Sequence, residues 1–248
     1  VHAVWNLLLA GARDSQAATA VGMCVGCLLF APALLGDVES GVWPWVVVSS
    51  ALELAYFALL ALAYSRFSLS GVYPLARGSA PVFVLVVAGV AAVLQAVGVV
   101  LVALGVLLVR GVRRGDWGET LLALAVGACI AGYTLVDKEG LRFADPLPYL
   151  ELVLIVPAVA YAGWIGPARL RAAVGMRTAV AGIGMFGAYA LVLAALRLAD
   201  AAPVAAVRES SIVMAVLLGA FVLHERVSRA RFAGAAVIAL GVGAIALA

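Results

Sequence analysis

Few residues in this sequence can do chemistry, and most of them sit inside apolar runs. Glu53 lies near the middle of the run 42–64, with apolar neighbours on both sides. An ionisable group at that depth in hydrocarbon costs roughly 2.5–3.5 kcal/mol on insertion scales, so it faces a cavity or a partner. Glu53 is therefore a candidate to carry a proton or to meet a cationic substrate group; a structural hydrogen bond or a pair with Arg77 is the alternative. Tyr56 follows at i+3 on the same helical face. Arg77 and Arg208 can each fork onto two oxygens of a carboxylate or phosphate, or else snorkel to the interface. Glu209 adjoins Arg208. Neighbouring helical residues point about 100° apart, so these two are expected to make separate interhelical contacts rather than one ion pair. His2, Trp5 and Asn6 fall at i, i+3 and i+4, and Tyr133 with Asp137 at i and i+4. Flat rings beside polar groups suit the wall of a small-molecule cavity, although Asp137-Lys138-Glu139 also reads as a helix end. Tyr189, in mid-span, is a ligand contact or a packing residue, and Glu151 is functional or interfacial.

Other chemistries lack their residues. The two histidines, His2 and His224, are far apart, and His224-Glu225-Arg226 reads as a turn rather than a metal motif. Cys24-x-x-Cys27 lies among Val, Met, Gly and Leu and reads as apolar packing. No metal, cofactor or catalytic residue is expected, and no Walker A loop is present to use ATP. The chain is not expected to be an enzyme.

The elements that must position these residues follow from composition. Of 248 residues, 66% are hydrophobic and 12% charged, and the mean hydropathy is +1.17. Soluble domains carry about 45–50% apolar and about 25% charged residues, which excludes a soluble enzyme, a nucleic-acid partner or a disordered chain. A ~30 Å hydrocarbon core takes about 20 apolar residues per helix. Hydrocarbon satisfies backbone groups only in helices or closed barrels, and these runs lack the alternation of barrel strands. The expected fold is an all-α integral membrane protein of about ten transmembrane helices. The runs are 1–10, 16–35, 42–64, 72–89, 91–109, 120–136, 147–165, 176–198, 204–223 and 232–248; the first is expected to be the remainder of a longer span, an unusually short helix being the alternative.

Two patterns organise the runs. Eleven of the sixteen basic residues fall in the odd-numbered connections, and three, Lys138, Arg142 and Arg197, fall in the others. That bias puts the odd connections in the cytoplasm and both chain ends outside. The second pattern is a repeat. Asn6, Asp14 and Arg77 recur 131 residues later as Asp137, Asp145 and Arg208. Gly-Val-Val-Leu-Val-Ala-Leu-Gly at 98–105 is mirrored by Gly-Ala-Ala-Val-Ile-Ala-Leu-Gly at 234–241, now 136 residues on. The sequence thus divides into a five-helix repeat at 1–109, a basic loop at 110–119 and a second five-helix repeat at 120–248. An odd number of crossings inverts the second copy, the arrangement by which many secondary transporters alternate access.

The chain resembles EamA-type members of the drug/metabolite transporter superfamily. The resemblance rests on His2-Ala-Val-Trp5-Asn6, Tyr73-Pro74-Leu75-Ala76-Arg77-Gly78, Tyr133-Thr134-Leu135-Val136-Asp137-Lys138, Ala202-Pro203-Val204 before Arg208-Glu209, and His224-Glu225-Arg226 before a glycine-rich last run. It implies ten helices in two inverted repeats around a central substrate cavity, in exporters of amino acids, other metabolites or drugs. Family members commonly keep both termini in the cytoplasm, contrary to the charge count. The first repeat also departs from the family in lacking the turn that the second retains at His224-Glu225-Arg226. The expected function is secondary export of a small molecule across a bacterial inner membrane, coupled to protons through Glu53; a non-transporting scaffold or subunit is the alternative. The expected partners are the lipid bilayer and a small-molecule substrate, and Gly22-Met-Cys-Val-Gly26 permits close approach within the chain or in a homodimer.

Overall fold

The computed structural model describes residues 12–67, 69–89, 92–110, 117–221 and 228–248. Among them the chain is helical, and the one β feature is an isolated antiparallel bridge between Val38 and Ala144. Helix α1 (Ser15–Phe30) starts at Asp14, whose carboxylate accepts the Ala17 N–H at 3.1 Å and so satisfies a donor left open at a helix start. Two short 3₁₀ turns, Ala31–Leu35 and Ser40–Val42, lead into α2 (Trp43–Arg66). Helix α3 (Leu69–Ala88) stops at Gly89, whose φ of 71° suits a residue without a Cβ. α4 (Val93–Arg110), α5 (Trp117–Gly140) and α6 (Pro146–Ile165) follow. Gly166, at φ 82°, then turns the chain into the short α7 (Pro167–Ala173). The remaining helices are α8 (Met176–Leu198), α9 (Ala201–Arg208), α10 (Ser210–Phe221) and α11 (Arg229–Ala246).

Five stretches among the described residues are long and apolar enough to cross a membrane: Ser15–Leu35, Ser40–Leu60, Trp117–Gly140, Pro146–Ile165 and Met176–Leu198. Helices α3 and α4 hold the shorter apolar stretches Leu75–Ala88 and Val93–Val109. Large apolar side chains such as Val47, Leu104, Val159 and Leu191 stand exposed. Water penalises such a surface, whereas lipid tails are as apolar as leucine. The chain is an all-α integral membrane protein.

Most expected runs among the described residues coincide with helices, and two differ. The run 120–136 extends to Gly140, so Asp137-Lys138-Glu139 lies in the last turn of α5, at the helix end that its sequence suggests. The run 204–223 is not one helix but two, α9 and α10, broken at Glu209. The amphipathic α7 was not expected at all. The first run, with His2, Trp5 and Asn6, lies outside the described residues, as do the turn at 224–226 and residues 111–116 of the basic loop.

The chain forms two compact units, and neither is a contiguous half. One comprises residues 1–57 and 136–198, the other 58–135 and 199–248. In the first, Ala17, Ala20 and Met23 of α1 pack on Ala158, Tyr161 and Ile165 of α6, with Phe57 against them. Gly22 meets Gly182 of α8, and Gly26 leaves the space that the Phe186 ring fills. The GxxxG face is therefore occupied within the chain. In the second unit, Val99, Val102 and Val106 of α4 pack on Ile238 and Ile245 of α11. Here the two glycine octets face each other. A Cβ on Gly98 or on Gly241 would lie 2.7 Å from the other's carbonyl oxygen; one on Gly105 would lie 2.7 Å from Gly234 O and one on Gly234 2.6 Å from Gly105 O.

Candidate functional site

In the first unit the polar centre is Asp137, fully buried on α5. Its Oδ1 accepts from Ser49 Oγ at 2.6 Å and Tyr149 OH at 3.0 Å, and its Oδ2 accepts from Tyr189 OH at 2.6 Å. Three hydroxyls from α2, α6 and α8 thus converge on one carboxylate, which is how a charge survives away from water. Of the four groups, Asp137 and Tyr189 were expected at a site. Ser49 and Tyr149 were not, although Ser49 lies one turn from Glu53 on the same face of α2.

Glu53 is buried, with 4% of its surface exposed. Tyr56 is partly buried on the next turn and meets Phe57 edge-on at 5.0 Å. Glu151 is fully buried on α6, and neither of its carboxylate oxygens has a hydrogen-bond partner among the described residues. Close by, Pro157 interrupts the hydrogen-bond ladder of α6. A proline has no N–H to offer the carbonyl four residues earlier, and the Val153 carbonyl instead accepts Ser50 Oγ at 2.8 Å.

At one end of this unit, Arg169 of α7 makes a two-pronged contact with Asp14, through Nε to Oδ2 at 2.8 Å and Nη2 to Oδ1 at 3.1 Å. The guanidinium holds the Asp14 carboxyl below its usual range. Its counterpart 131 residues on, Asp145, precedes α6 and pairs with Arg197 at the end of α8.

In the second unit Arg77, Arg208 and Glu209 come together. Arg77 Nε donates to Glu209 Oε2 at 3.1 Å, and Arg208 Nε lies 3.7 Å from Glu209 Oε1. The Glu209 side chain is fully buried, and the two arginine side chains are 11% and 5% exposed. The interhelical contact of Glu209 agrees with expectation; its approach to Arg208 does not. The helical spacing that should part adjacent residues fails because the helix breaks there. The Glu209 N–H binds the Ala206 carbonyl three residues back, so α9 ends in a tightened turn and α10 begins anew at Ser210. Arg77 and Arg208 are thus gathered on one carboxylate. Tyr133 is buried in the same unit, one turn before Asp137 along α5.

Comparison with known proteins agrees with this architecture. The sequence profile of the EamA-like transporter family matches residues 117–247, just over half the chain. No curated protein matches. One solved crystal structure of a protein aligns with a TM-score of 0.74 at 15% identity, over 99% of this chain and 92% of its own. At that identity the likeness speaks for the fold alone.

Proposed function

This chain belongs to the EamA-like transporter family, and from that premise we propose a secondary carrier that exports a small metabolite, amino acid or drug by alternating access between two inverted five-helix repeats. The observation that carries the reading is the reciprocal glycine contact of α4 with α11. Gly98 and Gly234 are counterparts in the two octets, as are Gly105 and Gly241, and each meets the other's partner: Gly98 with Gly241, Gly105 with Gly234. The flanking contacts follow the same rule, Ile238 at Gly105 and Val102 at Gly241, Ile245 at Gly98 and Val109 at Gly234. Contacts that exchange in this way are the signature of a two-fold relation. A two-fold between copies of opposite orientation supports inverted repeats. The compact units support it too, since each draws one stretch from either repeat.

Roles follow from the residue chemistry. Glu53 carries the coupled proton. Tyr56, Asp137 and Tyr189 offer rings and a carboxylate to a substrate, with Tyr133 and, from the sequence, Trp5 and Asn6. Arg77, Arg208 and Glu209 stand at a helix break, where freed backbone and half-helix ends serve ion and substrate binding in many carriers. The expected location is a bacterial inner membrane.

The test is transport by the purified chain in proteoliposomes. Amino acids, cationic drugs, sugar phosphates and nucleosides would be screened by solid-supported-membrane currents and by radiolabel exchange, with and without a pH gradient. A saturable, substrate-specific flux is expected. Glu53→Gln should keep exchange but lose the response to the gradient; an unchanged pH profile would remove Glu53 from the mechanism. Silence in both assays would leave the scaffold reading.

A further inference from the structure

Asp137 and Glu151 are both fully buried in the first unit, and the fold treats them in opposite ways. Asp137 accepts three hydroxyls. Glu151 accepts none, and both its oxygens are without a hydrogen-bond partner among the described residues. One turn away along α6, Pro148 and Leu154 are buried and have no side-chain donor. Tyr149, two residues before, directs its hydroxyl to Asp137, and Ser50 of α2 donates to the Val153 carbonyl, two residues after. Glu151 also lies beyond the first four N–H groups of α6, the ones that favour a carboxylate.

The elements packed on α6 bring no cation to it. From α1, Cys27 lies within reach of the Glu151 charge, with Cys24 one turn earlier. The 3₁₀ turn at Ala31–Leu35 carries no titratable group. Arg169 of α7 is held by Asp14, and Tyr189 and Arg197 of α8 are held by Asp137 and Asp145. Arg171 and Arg177 are exposed. Helix α2 adds Glu53, a second carboxyl. A carboxylate taken out of water with neither donor nor counter-ion is too costly to persist, and such a group neutralises instead.

We propose that Glu151 is a proton-binding site of its own: a neutral acid in this packing, which gives up its proton when local opening of α6 admits water. Glu151 stands about 7.5 Å along the helix axis from Pro146, so opening of the first turns is enough to expose it. On the carrier reading this adds a second exchangeable proton to that of Glu53, but the site does not rest on that reading.

Infrared spectroscopy of the full chain in lipid vesicles tests this, because the carbonyl stretch of a protonated carboxyl stands apart from carboxylate bands. Glutamate ¹³C-labelled at the side-chain carboxyl moves the glutamate bands away from those of aspartate without any substitution. At neutral pH a protonated glutamate band is expected. It should survive E53Q, be lost in E151Q, and be kept but moved in E151D. In ²H2O it should shift to lower frequency, and it should disappear as the pH is raised. Thermal unfolding would show whether E151Q folds; if it does not, E151D and the labelled wild type decide. No protonated glutamate band at neutral pH, or a band of the same size in folded E151Q, overturns the proposal. So does a band that never shifts in ²H2O, the mark of a sealed structural acid. Silence in the transport assays with the band present would remove the carrier reading and leave this site standing.

Discussion

Asp137 accepts hydrogen bonds from residues 88, 12 and 52 positions away in sequence. Removing one donor leaves a buried charge short of a partner, worth about 1.5–3 kcal/mol for a bond to an ionised group. Tyr189→Phe should therefore lower stability by about that amount in thermal unfolding of the detergent-solubilised protein; a change near zero would mean that Tyr189 does not hold Asp137. Glu209 is the stronger case, because its fully buried carboxylate meets two guanidiniums. Glu209→Gln should cost about 3–5 kcal/mol, as expected when one partner of a buried pair is removed, whereas the same change at exposed Glu139 should be near neutral. Asp137, Tyr189, Arg77, Arg208 and Glu209 were legible as chemistry because a polar residue in an apolar run is conspicuous. Ser49 and Tyr149 were not, because hydroxyls are common in such runs and only packing sets their partner.

The helices carry their own tests. A Cβ at Gly105 would lie against the carbonyl oxygen of Gly234, backbone that cannot yield, while a Cβ at Gly243 on α11 meets nothing within 4 Å. Gly105→Ala should destabilise by about 1–3 kcal/mol, as overpacking does. Gly243→Ala should instead stabilise by about 0.5–1 kcal/mol, by relieving the entropic cost of helical glycine. Equal effects in thermal unfolding would deny the close approach of α4 and α11. At the start of α1, Asp14 has a carboxyl held below its ordinary value of 3.8. The Asp14–Arg169 contact therefore contributes fully above that value, and its contribution disappears as the pH falls through the lowered one. Protection in the first turn of α1, taken as exchange relative to the intrinsic rate at each pH, should fall on acidification, and Arg169→Gln should weaken that dependence, leaving the part that comes from the Ala17 N–H. Element positions were readable from run length, since a span must cross a bilayer of fixed thickness. The break at Glu209 was not, because nothing in Arg-Glu-Ser forbids a continuous helix; the buried contacts of Glu209 with Arg77 and Arg208 accompany a turn that local propensity alone does not demand.

The compact units cut across the chain halves: residues 1–57 pack with 136–198, and 58–135 with 199–248. Residues 1–110 expressed alone should therefore fail to fold and be degraded, while co-expression with 111–248 should restore a protease-resistant protein. A stable, resistant 1–110 fragment would contradict the division. By itself the sequence determined that the protein lives in the bilayer as helices, because hydrocarbon leaves the backbone no other partner for its N–H and C=O groups. It also pointed to the family, through short motifs kept in order. Only the tertiary structure decided which buried charges meet, that the glycine octets face each other, and that Glu151 is left without a donor among the described residues. The reason is physical. Partition into lipid is a property of each segment's own composition, whereas the partner of a buried polar group is fixed by which helices approach closely enough, and that depends on packing along the whole chain.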